Sequence, residues 1–586
     1  MKEFITKHKF GLITAFLIGL ICVLPQIIFI ATLGNDYRGI HILQTPNESG
    51  YIAIMQEILD GHPRVASMPF FEYKDGGSPL LPPTLAYIYT APAQILGVSL
   101  INIVIASKFV FPALLFLLVY LLSYELMKID NEADNRLRAF FAMVTGILIV
   151  FGFDLVDYNS IISYIIGRFS PQGFLIWTRP INPVSGAILL FLFLFSLNRF
   201  NFKKKKWWIL CCSLSLALMM ASYVFSWTLA VVVLGLYSFG SLMKKKWKVF
   251  FSYVSILIFA ILFSLPYWIN VIRASQMDWY SEAAARIGMF FTHAPHLNKF
   301  TITMALLFLI VTFIAYYKRI LARPFPPWWR LSIILLLSCL IVYNQQVITG
   351  REIWYYHYVF YTIPFAYAVF MLLLWHVVRL IYPRVALFVV VGILCASVSL
   401  GIFQQVSAYT NFVSLYTEKQ DYRDIFDFFN NQAEKDCVVL IREELNFWDN
   451  LIPTFTHCNL YYSSENQSVL ADPDDFYHRY LSVLRLNGVR EEDIEKFIFE
   501  NKSEVESALL FQLQRTLGFP DTKLEKRILS MPEDYRDFIK KDFYTALSKF
   551  RIDYILSKGE LDVKVMADLP SLRKVYANHG LVVYKF

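Results

Sequence analysis

The chain has 586 residues, 54 Lys+Arg against 46 Asp+Glu for a net charge of +8, and is 56% hydrophobic but only 17% charged. A soluble globular protein holds about 45–50% apolar and about 25% charged residues, so a soluble enzyme, a disordered chain and a nucleic-acid-binding protein are all poor fits. The part beyond Gln404 holds 23 Lys+Arg and 30 Asp+Glu, a net −7, which leaves +15 for the rest; this asymmetry marks a membrane portion followed by an attached polar domain.

A spanning helix needs roughly 20 mostly apolar residues. Eleven stretches qualify in chain order: 10–33, 98–127, 138–156, 183–199, 207–222, 225–243, 249–270, 301–317, 331–348, 359–380 and 385–405. Lysine clusters at Lys203–Lys206 and Lys244–Lys246 close both ends of the 207–243 region, so it is read as two short helices with a tight turn at Ser222–Ser226. The first stretch has too long an apolar core, and lacks the small-residue cleavage pattern, for a cleaved signal peptide. Lys and Arg gather in alternate short connections, from Lys2, Lys7 and Lys9 through Arg136 and Arg138 to Arg379 and Arg384. The positive-inside rule then places the N-terminus in the cytoplasm. With an odd number of spans the C-terminal part lies outside a plasma membrane.

Three connections on that outer side are long (34–97, 157–182 and 271–300), and a fourth, Asn344–Tyr358, is short but dense in polar groups. Residues 1–405 are expected to form the transmembrane domain and 406–586 an extracytoplasmic α/β domain. Its strand-like runs are Val438–Ile441, Leu460–Tyr462, Asp553–Leu556 and Leu581–Phe586. Five of the seven cysteines sit in apolar runs; Cys437 and Cys458 alone fall in the polar part, where a disulfide is open in an oxidising compartment.

The first outer connection begins with Asn35-Asp36-Tyr37-Arg38-Gly39. It continues through Glu48, Tyr51, Gln56, Asp60-Gly61-His62 and Glu72-Tyr73-Lys74-Asp75, and closes on Pro79, Pro82 and Pro83. Several acids and a histidine in one interfacial loop suit general-base chemistry on a hydroxyl, although a solvated acidic loop would read the same way. Thr178-Arg179-Pro180-Ile181-Asn182-Pro183 and Asn344-Gln345-Gln346-Val347-Ile348-Thr349-Gly350-Arg351 place further polar groups at predicted helix boundaries.

These features together resemble the GT-C superfamily of glycosyltransferases: a carboxylate directly after the first helix, a large first outer loop with the Tyr51-to-His62 stretch, and a C-terminal outer domain. The two-acid motif of oligosaccharyltransferases is absent at Asp36-Tyr37-Arg38. The resemblance implies a polyprenyl-phosphate-linked sugar as donor, a protein, lipid or glycan as acceptor, and inversion at the anomeric carbon. It implies Asp36 as general base with Glu48 in reserve; where two carboxylates converge, one instead positions the acceptor or holds a divalent cation. No protein ligand set for a resident metal is assigned.

A leaving phosphate calls for Arg or Lys, and the planar fork of Arg suits it best. Candidates are Arg179, Arg286 and above all Arg351, with His357 beside it and His62 in the first loop as further substrate-binding groups. Lys108 is the one charge well inside a predicted span, and either faces the lipid phosphate or lines a pocket and snorkels outward. Against the transferase stand a transporter or flippase of lipid-linked glycans, which would show ionisable groups at mid-membrane and repeated halves, and a non-catalytic membrane scaffold.

Overall fold

The computed structural model describes residues 2–45, 47–65, 70–74, 78–79, 83–128, 135–168, 170–203, 205–286, 289–321, 325–442, 451–463, 470–509 and 522–586. Apolar stretches in a bilayer must satisfy their own backbone groups, which leaves the helix as their form, and each of the eleven is helical. α1 (Lys2–Leu33) ends in a single 3-10 turn, Gly34–Asp36, and is followed by α2 (Glu48–Leu59), α3 (Tyr87–Leu96), α4 (Leu100–Leu126) and α5 (Asn135–Phe151). Next come α6 (Tyr158–Ile165), α7 (Val184–Lys203), α8 (Trp207–Met220), α9 (Val224–Met243), α10 (Trp247–Phe263), α11 (Leu265–Ser275) and α12 (Tyr280–Arg286). The helical part closes with α13 (Lys299–Tyr317), α14 (Pro327–Val342), α15 (Gln346–Thr349), α16 (Val359–Leu373), α17 (Arg379–Ile381) and α18 (Pro383–Glu418).

Seven helices among the described residues are long and apolar enough to cross a membrane, and the pair α10 and α11, bent by 63°, supplies an eighth. The chain is a multi-pass membrane protein. With the shorter helices α5, α8 and α14 these make up the eleven expected stretches. α5, α8 and α14 have 17, 14 and 16 residues, at or below the short end of the range that crosses a bilayer. α5 stops at Phe151, where Gly152 gives way to a 3-10 turn at Phe153–Val156, so the expected 138–156 stretch is helical in two unlike pieces. The 249–270 stretch breaks at Ser264, where Pro266 opens a new helix at a position that needs no backbone N–H. α18 runs through position 405 and on to Glu418.

Beyond α18 come α19 (Arg423–Gln432), α20 (Leu451–Phe455), α21 (Pro473–Leu486) and a five-stranded sheet. A separate antiparallel ribbon pairs β1 (Met289–Phe291) with β2 (Arg351–Ile353). The sheet is built from β3 (Val438–Ile441), β4 (Asn459–Leu460), β5 (Tyr554–Lys558), β6 (Arg573–Asn578) and β7 (Leu581–Lys585), in the order β4-β3-β5-β7-β6. β3 is parallel to β4 and β5, while β7 is antiparallel to β5 and β6. The four expected strand runs are all present; β6 is additional, an exposed edge whose charged residues hide the alternation that marks a strand.

Successive strand residues face opposite ways, and the two faces have different work. Val438, Leu440, Ile555 and Val582 pack with Leu484, Tyr535 and Phe538 inside the C-terminal domain. Val439, Leu556 and Val583 instead share one core with Phe426 and Phe429 of α19 and with Ile52, Met55 and Ile58 of α2. The first long loop is thus sandwiched between the helical bundle and the sheet, and Thr454 on α20 donates to the Ser49 carbonyl at 3.0 Å. Cys437 and Cys458 form a disulfide at the head of β3 and β4.

Candidate functional site

α4 begins at Leu100, where the Ser99 hydroxyl accepts from the Asn102 amide, so Lys108 lies two turns inside the helix. An ammonium at that depth needs a partner. It finds one in Glu48, the first residue of α2, at 2.5 Å. The same carboxylate accepts from the Thr45 hydroxyl at 2.6 Å and lies 3.5 Å from His41 Nε2. Glu48, Lys108 and His41 are all 2% exposed or less. Burial pushes the Glu48 carboxyl up, but the Lys108 ammonium and His41 outweigh it and hold the group down at about 2. Burial keeps His41 below its ordinary value in spite of Glu48, and neither ring nitrogen has a hydrogen-bond partner among the described residues.

One turn along α2, Tyr51 lies on the same side as Glu48. Arg179 Nη2 donates to its hydroxyl at 2.8 Å, with the guanidinium 4.9 Å over the ring. Arg179 follows the 3-10 turn Ile176–Thr178. It heads a segment in which Ile181 has φ +64° and Asn182–Pro183 is cis, anchored where Ile181 N–H donates to the Tyr89 hydroxyl at 3.0 Å. Arg179 is only 8% exposed, yet its Nε has no hydrogen-bond partner among the described residues, and the same holds for Asn182 Oδ1 and Ser185 Oγ. Buried polar atoms are nearly always satisfied, so three unpartnered ones within seven residues leave hydrogen-bonding capacity here.

Opposite stand α9 and α16. Tyr223 Oη and His357 Nδ1 are 2.8 Å apart, the Tyr361 hydroxyl donates to the Pro183 carbonyl at 3.4 Å, and Arg179 is close enough for its charge to act on Tyr223, His357 and Tyr361. A Cβ on Gly186 would lie 2.4 Å from Tyr361 Oη; only glycine lets α7 and α16 approach here.

A second cluster ties the first loop to the C-terminal domain. His62 Nε2 is 3.0 Å from Asp436, and Lys74 reaches Glu57 at 2.9 Å and Asp436 at 3.4 Å. Burial pushes Glu57 up to about 7, with Lys74 only partly offsetting it. Glu57 and Glu48 should therefore oppose each other in a pH profile. Between about pH 4.5 and 7 the unfolded chain releases the Glu57 proton that the folded chain keeps, so stability falls as pH rises through that window. The Glu48 contribution is complete above about pH 4.5 and is lost as pH falls toward 2. Thermal melts at pH 5 and 7.5 are expected to show a smaller loss on the alkaline side for Glu57→Gln than for wild type; equal losses would remove Glu57 from this account.

The remaining candidates make no hydrogen bond or ion pair with these groups among the described residues. Asp36 ends the 3-10 turn after α1, exposed, and makes no side-chain hydrogen bond or ion pair among the described residues. Arg351 is exposed on β2, its guanidinium 5.6 Å from the Phe291 ring across the ribbon. Arg286 ends α12, and its side chain lies outside the described residues. The structure thus brings Glu48 and Lys108 together, sets Arg179 near His357, pairs His62 with Asp436, and gives Asp36 and Arg351 no hydrogen bond or ion pair to any of them among the described residues. Among the described residues one grouping of His, Cys, Asp and Glu is close enough to share a metal ion, Cys437, His457 and Cys458, and its two thiols are joined to each other.

Sequence reasoning missed His41, Tyr223, Glu57 and Gln26. His41 was detectable as a lone polar residue in Gly39-Ile40-His41-Ile42-Leu43. Gln26 was detectable inside the first span, where its amide exchanges hydrogen bonds with the Ile42 backbone at 2.9 and 3.3 Å.

No protein-family model matches the chain, and no curated protein matches it. Among solved structures, ArnT from Cupriavidus metallidurans in the apo state is similar at 11% identity and a TM-score of 0.44, over 95% of this chain and 97% of that one. ArnT bound to undecaprenyl phosphate gives 12% identity and 0.44, over 96% and 97%. The oligosaccharyltransferase AglB from Archaeoglobus fulgidus, in complex with an inhibitory peptide and a dolichol-phosphate, gives 10% and 0.44, over 94% and 69%.

Proposed function

We propose that the chain is an integral membrane glycosyltransferase of the GT-C type, moving a sugar from a polyprenyl-phosphate-linked donor to an acceptor at the outer face of the plasma membrane. The observation that carries this reading is the buried Arg179 with its unsatisfied Nε. It is a fork-shaped cation held on Tyr51, with Asn182 Oδ1 and Ser185 Oγ likewise unpartnered among the described residues. A phosphate departing from an anomeric carbon gathers negative charge, and a preorganised guanidinium in a water-poor site stabilises it as it forms. The donor's apolar tail would stay among the helices.

Asp36 is the general base in this scheme. Its carboxylate is uncommitted among the described residues, and it accepts the acceptor hydroxyl's proton as the oxygen attacks, a direct displacement that inverts the anomeric centre. Glu48, ionised and engaged by Lys108, is suited to positioning: it seats the head of α2, and with it Tyr51 under Arg179. We take residues 1–405 as the membrane transferase domain and 406–586 as its extracytoplasmic domain, with the N-terminus cytoplasmic. A disulfide at Cys437–Cys458 accords with an oxidising compartment for the latter.

The test supplies purified protein with a radiolabelled polyprenyl-phosphate sugar, with and without EDTA. Asp36→Asn is expected to lower kcat about 10²–10⁴-fold while the melting temperature holds. Unchanged turnover would remove Asp36 from the role, and translocation of the labelled lipid without sugar transfer would replace the transferase by a flippase.

A further inference from the structure

A pocket of about 540 Å³ opens in the C-terminal domain between α21 and the helix Thr522–Ile539, apart from every residue assigned above. That volume lies in the range of small-molecule sites. Its wall alternates acids with bases: Asp474, Asp534 and Asp537 against Arg527, Lys541 and Lys549. Two aromatic rings, Tyr477 and Phe538, complete it.

Several of these groups keep hydrogen-bonding capacity in reserve. Asp534 Oδ2 accepts from the Tyr477 and Ser530 hydroxyls, each at 2.9 Å, which leaves Oδ1 without a partner among the described residues. His478 Nε2 donates to the Ala546 carbonyl at 2.8 Å, so Nδ1 of the neutral ring is a free acceptor. Burial, with Lys549, Lys541 and Arg479 nearby, keeps that ring below its ordinary value and so neutral. The Lys541 ammonium makes no hydrogen bond or ion pair among the described residues.

The alternation restricts the occupant. Asp474 pairs with Arg527, Asp537 with Lys540 and Lys549 with Asp475, so neither an anion nor a cation meets a surplus of opposite charge, and each would face like charges, which is strongly disfavoured. A neutral ligand whose every hydroxyl both donates and accepts can satisfy the two sets together, and pyranose CH faces suit the flanking rings. We propose that this pocket binds a neutral oligosaccharide. Binding needs no donor lipid and no turnover, so it is read independently of the transferase assignment.

The experiment uses the full chain in detergent and saturation-transfer NMR with maltotriose, cellotriose, mannotriose and chitotriose, and with inorganic phosphate and spermine as charged probes. At least one trisaccharide is expected to bind at millimolar concentration, and Asp534→Asn and Lys541→Ala each to weaken it about tenfold or more, with melting temperatures unchanged. Binding by no trisaccharide, binding that neither variant weakens, or saturation by phosphate or spermine in place of sugar would each overturn the assignment. If a variant melts early, the trisaccharide's thermal stabilisation of wild type decides, since a sugar that binds the folded chain must raise its melting temperature.

Discussion

Replacing Lys108 with methionine is expected to lower the stability of the folded chain by about 3–5 kcal/mol, because it strands the Glu48 carboxylate at a site 1% exposed. The Thr45 hydroxyl and amide would remain as donors, at 2.6 and 3.3 Å, but neither carries the compensating charge. His41, held neutral by burial, can take up a proton in response, which would show as a new titration above its present one. The double variant Glu48→Gln, Lys108→Met is expected to recover to within about 1 kcal/mol of wild type, since removing both members of a buried pair is often neutral. Unfolding in mixed detergent micelles measures all three. A single Lys108→Met variant as stable as wild type would mean that the pair does not hold α2 in place.

Arg179→Ala is expected to lower kcat/KM for sugar transfer about 10²–10³-fold, the usual loss when one preorganised charge stabiliser is removed. Arg179→Lys separates charge from shape. A lysine keeps the cation but not the planar fork that holds Tyr51 and presents Nε, so only part of the rate should return. Full activity in the lysine variant would show that the fork has no role. Full activity in the alanine variant would dissolve the site and send the search for the phosphate anchor back to Arg351 on the ribbon.

The difference between those two arginines shows where sequence reasoning reaches and where it stops. Apolar runs betray spanning helices because the bilayer imposes one form on them, and Val438–Ile441 or Leu581–Lys585 betray strands by their composition. Both are local properties. Glu48 and Lys108 lie 60 residues apart and Tyr51 and Arg179 lie 128 apart; nothing in either neighbourhood names its partner. Arg351 stood out because polar residues crowd it in sequence, while Arg179 has only Thr178 and Asn182 close by and meets Tyr51 only through folding. The helix outlasts the apolar stretch for a related reason: hydropathy ends near 405, but α18 continues because Gln405 and Tyr416 find partners in the Cys22 and Leu43 carbonyls.

That continuity bears on mechanics. Thirty-six residues of unbroken helix measure about 54 Å, against a hydrocarbon slab about 30 Å thick, so a third or more of α18 stands proud of the slab as a stiff mast carrying the sheet. A mast has no swivel at its foot. Images of the working protein should therefore show α18 and the sheet tilting as one cantilever.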